Sequence, residues 1–116
     1  MKLKKCILLL PTSYNDGSEV PASVISGILR SIDEAFDGHT IDGYCDGVYR
    51  MDDGSLASDH SLKVWIAVDP QRVDDVRKLA GSVARLLKQE SIYFEVTDAE
   101  VEFVRPSAES DTGGLL

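Results

Sequence analysis

Apolar residues along this chain fall into blocks with distinct periods. Leu3 to Leu10 is short and unbroken in apolar character from Cys6 onward, as in a central strand buried on both faces. Pro11 ends it, and the polar stretch "TSYNDGSEV" follows. Pro21 suits a first helical position, where its missing N–H costs nothing. Beyond it Val24, Ile28, Ile32 and Phe36 recur every four residues, flanked by Ile25 and Leu29, which predicts an amphipathic helix that stops near Gly38. Thr40 to Arg50 has strand-forming residues interrupted by Gly43 and Gly47, a sign of a bulge or of close approach by another group. "MDDGS" at 51–55 predicts a hairpin turn. Leu62, Val64, Ile66 and Val68 alternate with Ser61, Lys63, Trp65 and Ala67, the clearest period of two in the chain.

A second helix is predicted after Asp69 and Pro70, with Val73, Val76, Leu79, Ala80, Val83, Leu86 and Leu87 on its buried face. Ser91 to Val104 reads as a last strand. Its apolar phase moves from Ile92, Phe94 and Val96 to Ala99, Val101 and Phe103, and a bulge at Thr97-Asp98 would account for the change. The order strand, helix, strand, strand, helix, strand is that of the α+β ferredoxin-like βαββαβ arrangement: a four-stranded antiparallel sheet with two helices on one face. One domain is expected over residues 1–105, with a flexible tail over 106–116 that lacks periodicity.

Composition narrows the class. The 116 residues are 43% hydrophobic, enough to build a core at this length. Twelve basic residues stand against twenty acidic ones, a formal charge of −8. Nucleic-acid backbones and anionic membranes call for a basic surface, so neither is an expected partner. The densest basic cluster, Lys2, Lys4 and Lys5, sits at one terminus. Two isolated cysteines, Cys6 and Cys45, give no disulfide framework and read as free thiols of a cytoplasmic protein. "CILLL" is shorter than a signal-peptide core, and no run approaches the roughly 18 apolar residues of a membrane span.

Motifs for known chemistries are missing from the sequence. Neither GxGxxG, GxxxxGK[ST] nor GxSxG occurs. Aligning Gly17 or Gly54 with the invariant glycine of a calcium loop matches none of the first, third and twelfth positions; aligning Gly47 matches Asp42 and Asp46 but puts Tyr44 at the third position and Asp53 in place of the bidentate Glu. His39, His60 and Cys45 lack zinc spacing. No metal or cofactor is therefore expected. Asp46, Asp59 and Glu90 stand in or beside strands, where burial would raise a carboxyl pKa for acid–base work.

The richest candidate surface is the sheet face that the helices leave open. Trp65 belongs there, on the third strand beside Lys63. Tyr93 alternates with Phe94 and falls on the same side. Burying a tryptophan in such a position is worth on the order of 2–3 kcal/mol, so a covering partner is expected. A second copy is the simplest cover, since symmetric dimers are the commonest assembly. The C-terminal tail, a small ligand or another protein are the alternatives, as is a partly exposed Trp65 shielded by Lys63 and neighbouring side chains.

The succession "LLLPTSYNDGSEVP", "DGHTIDGYCDGVYRMDDG", "KVWIAVDP" and "QESIYFE" resembles a group of short uncharacterised bacterial and phage-borne proteins. The resemblance spans about residues 3–105 and implies a ferredoxin-like fold without a defined activity. Where that group favours tryptophan near Gly47–Arg50, this chain carries Tyr49. The first reading is a non-enzymatic module that self-associates through the open face, with Trp65, Tyr93, Lys63, Tyr49 and Glu90 as binding candidates. A second reading is a small enzyme with a pocket formed by Asp46, Tyr49, Lys63, Glu90 and Tyr93. A third is an acidic inhibitor that docks on a basic or nucleic-acid-binding protein.

Overall fold

The computed structural model describes residues 1–108. Four strands, β1 (Lys2–Pro11), β2 (Thr40–Arg50), β3 (Leu56–Val68) and β4 (Phe94–Glu100), form one sheet in the order β2-β3-β1-β4. Every neighbouring pair is antiparallel. Helices α1 (Ala22–Phe36) and α2 (Val73–Leu86) join strands that are not neighbours, as the ferredoxin-like arrangement requires. No helix among the described residues is long and apolar enough to cross a membrane.

The core lies between the helices and one face of the sheet. Cys6, Leu8 and Leu10 of β1 are fully buried, and Leu62, Val64, Ile66 and Val68 of β3 lie beside them. Ile28 and Ile32 of α1 and Val76, Ala80 and Val83 of α2 close the layer. Burial pushes the Cys6 thiol pKa up, against a smaller downward pull from Arg77. Arg72 holds the two helices in place at one end: its guanidinium donates to the Ala35 carbonyl at 3.2 Å and lies 4.9 Å from the Phe36 ring centre.

The two polar loops share one device. In "DGS" at 16–18 and again at 53–55, the aspartate Oδ1 accepts from the backbone N–H of the serine two residues on, at 2.9 Å in both loops. It also accepts from that serine's hydroxyl, at 2.5 Å. These bonds hold the Asp16 and Asp53 carboxyls below their ordinary pKa. Ser13 bridges to Glu19, so the stretch after β1 is a miniature hairpin, with the Tyr14 and Ser18 carbonyls and Asp16 Oδ1 accepting hydrogen bonds within it.

Five expectations need correction. The strand β3 begins at Leu56 rather than near Leu62. Its first residues lie outside the packed body, where no core imposes alternation. β4 pairs with β1 from Leu8↔Phe94 to Lys2↔Glu100 without a register shift, so no bulge exists at Thr97-Asp98. Asp98 instead takes an ordinary ladder position and forms an ion pair with Lys4 across the strands. Leu86 is exposed, because α2 turns its last buried position to Leu87. Asp69 precedes a 3₁₀ turn, Pro70–Arg72, and its side chain caps nothing; the first turn of α2 carries Asp74 and Asp75 instead. Finally, α1 ends on Asp37, in the left-handed region at φ 65°, one residue before the expected glycine. The expected tail over 106–116 lies mostly outside the described residues.

The glycine-rich strand does contain a bulge. The β2–β3 register shifts between Ile41 and Tyr44, and Gly43 sits there at φ +87°. Replacing Gly43 with alanine should cost about 1–2 kcal/mol, the penalty of a left-handed backbone for an L residue. Leu8→Ala empties a fully buried site on a central strand and should cost about 2–5 kcal/mol. Urea denaturation of both variants checks these values and their order.

Candidate functional site

The β2–β3 ribbon outgrows the sheet. β1 accompanies β3 only as far as Ser61↔Pro11 and the bond from Thr12 N–H to the His60 carbonyl at 3.0 Å. Beyond His60 four further rows, Gly47↔Asp59 to Arg50↔Leu56, have two strands only. They project about 14 Å before the turn, at about 3.4 Å per residue. Arg50 braces the turn by donating to the Gly54 carbonyl at 2.6 Å.

This projection exposes apolar side chains on both faces, among the polar Arg50, Ser58 and Asp59. Val48 and Leu56 are 62% and 61% exposed on the side shared with the helices. Tyr49 occupies the opposite side, and Met51 stands at the tip, both exposed. The Tyr49 ring folds back over Gly47: a Cβ at Gly47 would lie 2.8 Å from the phenol oxygen. Gly47 thus explains itself as the seat of a ring, the close approach that glycine in a strand signals.

On the open face, β3 contributes Lys63 and Trp65, β1 contributes Lys5, Ile7 and Leu9, and β4 contributes Glu95 and Thr97. Trp65 is partly buried, and the Lys5 ammonium sits 4.5 Å from its ring centre. Lys63 forms an ion pair with Asp42 at 3.5 Å. Tyr93 is exposed beside Leu9 and donates its phenol to Glu95 Oε1 at 2.6 Å. That bond and the carboxylate's charge raise the Tyr93 pKa, with a smaller push in the same direction from Tyr49. Tyr49, Lys63, Trp65 and Tyr93 therefore share one face.

Glu90 does not join them. It lines a cleft of about 480 Å³ between α2 and β4, with Arg77, Arg85 and Gln89. Asp46 also stands apart, on the helix side of the ribbon, with His60 Nδ1 2.7 Å from its carboxylate. The five residues expected to line one enzyme pocket thus occupy three surfaces. Asp59 is exposed on the projecting ribbon. His39 lies 2.5 Å from Asp33, and among the described residues no three His, Cys, Asp or Glu side chains converge as a metal site.

A larger groove, of about 710 Å³, opens on the helix side. It runs between α1, the loop after β1 and the base of the ribbon. Tyr44 and His60 form one wall, their rings 5.2 Å apart and 9° from parallel. Sequence reading missed this pair because the two residues lie on different strands, far apart along the chain. The bulge at Gly43 brings them onto one face by shifting the register just before Tyr44.

No family model matches the chain, and no curated protein matches it. Among solved structures it is similar to a phage SAM lyase in complex with S-methyl-5′-thioadenosine, at TM-score 0.64 and 14% identity, over 89% of this chain and 93% of that one. A phage SAM lyase in the apo state aligns at TM-score 0.55 and 16% identity, over 90% of this chain and 92% of that one. The divalent cation tolerance protein (Cut A1) from Thermus thermophilus aligns at TM-score 0.54 and 15% identity, over 90% of this chain and 88% of that one. These likenesses establish a shared fold, the four-stranded antiparallel sheet with two helices.

Proposed function

We propose that the protein is a self-associating binding module whose copies join through the projecting ribbon and the open sheet face. The observation that carries this reading is the ribbon itself. A two-stranded segment is marginally stable in water unless something packs on it, and this one presents Val48, Tyr49, Met51 and Leu56 to solvent. Fully covering such side chains is worth roughly 1.5–3 kcal/mol each. Association costs about 4–15 kcal/mol in lost freedom, comparable with the at most about 6–12 kcal/mol that four such side chains supply. Extending the contact onto Tyr93 and the open face, the side on which Tyr49 lies, adds to that margin. In such an assembly Tyr49, Lys63, Trp65 and Tyr93 line the joint between copies, and a small ligand held there would meet two phenols, a carboxylate and an ammonium.

A second reading is favoured by the two phage SAM lyase structures, whose fold covers nine-tenths of this chain. Under it, the joint between copies holds S-adenosylmethionine and the protein consumes it. The positive sulfonium of that substrate suits a surface with a formal charge of −8.

Light scattering during size-exclusion chromatography tests the first reading. The expected mass is a multiple of the monomer, and the double variant Val48→Asp/Leu56→Asp is expected to elute as a folded monomer. A wild-type monomer at high concentration would refute self-association. For the second reading, incubation with S-adenosylmethionine should release S-methyl-5′-thioadenosine above the buffer control, and the monomeric double variant should lose that activity. Unchanged S-adenosylmethionine after prolonged incubation with the assembled protein would eliminate it.

A further inference from the structure

The helix-side groove lies across the sheet from the open face. Its volume of about 710 Å³ falls within the usual range for small-molecule sites, roughly 300–1,000 Å³. Val20 and Leu62, both buried, form its floor, and Ile25 and Leu29 of α1 form one side. The Tyr44–His60 stack forms the other. Asp46 lies 2.7 Å from His60 Nδ1, and the His60 ring in turn stacks on Tyr44, which is 66% exposed. The result is a groove with an apolar side and an aromatic side, the arrangement in which a flat ring gains both burial and stacking.

Charge narrows the occupant further. Glu19 is the one formally charged residue among the described residues lining the groove, and neither lysine nor arginine is among them. Phosphorylated ligands require cationic or backbone N–H partners, and a carboxylate at the rim repels them. We propose that this groove binds a neutral or cationic heteroaromatic ligand of about nucleoside size, without phosphate, whose ring stacks on Tyr44 between the ribbon and α1. At the edge the Ser26 hydroxyl is placed to donate or accept, and Thr12 Oγ1, whose proton goes to the His60 carbonyl at 2.9 Å, is placed only to accept. The site is independent of the joint between copies proposed above and is present in a single copy.

Adenosine is a suitable probe, titrated into the 116-residue chain and followed by amide and methyl NMR shifts. Saturable shifts centred on Ile25, Leu29 and Tyr44 are expected. Adenosine 5′-monophosphate should bind about fivefold more weakly, from the charge of Glu19. Tyr44→Ala, at an exposed position, should weaken adenosine by at least about fivefold, the lower end of base–aromatic stacking. Ser26→Trp, on the exposed helix rim, should fill the slot and abolish the shifts while leaving the fold intact. Adenosine shifts absent from the groove, equal affinity for Tyr44→Ala, or tighter binding of the monophosphate would each overturn the proposal. So would groove shifts that follow protein concentration alone, which would make a second copy the occupant.

Discussion

β1 is hydrogen-bonded along both edges, and the placement of every other element follows from that double pairing. A strand in the middle of a sheet with helices on one face must be apolar on that face, and Cys6, Leu8 and Leu10 are wholly buried there. Ile7, on the other face, is buried too, between Trp65 on β3 and Glu95 on β4. β3 is fixed beside β1 by eight paired rows and β4 by seven. The helices then have only one layer to cover, and the connections α1 and α2 span the strand between their ends. Removing apolar volume from β1 consequently loosens both halves of the fold at once.

The same pairing creates the molecule's unpartnered surface. β1 stops at Pro11, whereas β2 and β3 continue, so the ribbon leaves the sheet without a third strand or a helix against it among the described residues. Large apolar side chains stand exposed on both of its faces beside the polar Arg50, Ser58 and Asp59, more apolar surface than an antiparallel sheet face that meets water usually shows. Gly47 makes room for the Tyr49 ring, which keeps this aromatic close to the open face rather than extended into solvent. The fold's own geometry thus brings Tyr49, Tyr93, Lys63 and Trp65 to one side. It brings Tyr44 and His60 to the other, and the bulge at Gly43 sets the register for that pair.

Much of the fold was legible because burial dictates period. The alternation from Leu62 to Val68 and the four-residue spacing from Val24 to Phe36 both report contact with a core, and both elements formed where the pattern placed them. The order of elements then sufficed for the sheet topology. Legibility failed where the core does not reach. Leu56 to Ser61 belongs to β3 through hydrogen bonds to β2, which leave no hydrophobic period behind. The phase change after Val96 suggested a bulge, but it marks the end of core contact near the edge of β4, where Asp98 pairs with Lys4. The candidate site divides in the same way. Trp65, Lys63 and Tyr93 follow from strand alternation, whereas Glu90 sits in an irregular connection whose direction no period encodes.

Coverage of the outer ribbon rows by another copy is the claim on which the functional reading turns. Amide hydrogen exchange at residues 48–56, compared between concentrated and dilute protein, tests it most directly, because an exposed two-stranded ribbon opens readily and a covered one does not. Slow exchange at high concentration that accelerates on dilution is predicted, while β1 amides stay protected throughout. Rapid exchange over 48–56 at every concentration, or protection indifferent to dilution from micromolar to nanomolar protein, would contradict it.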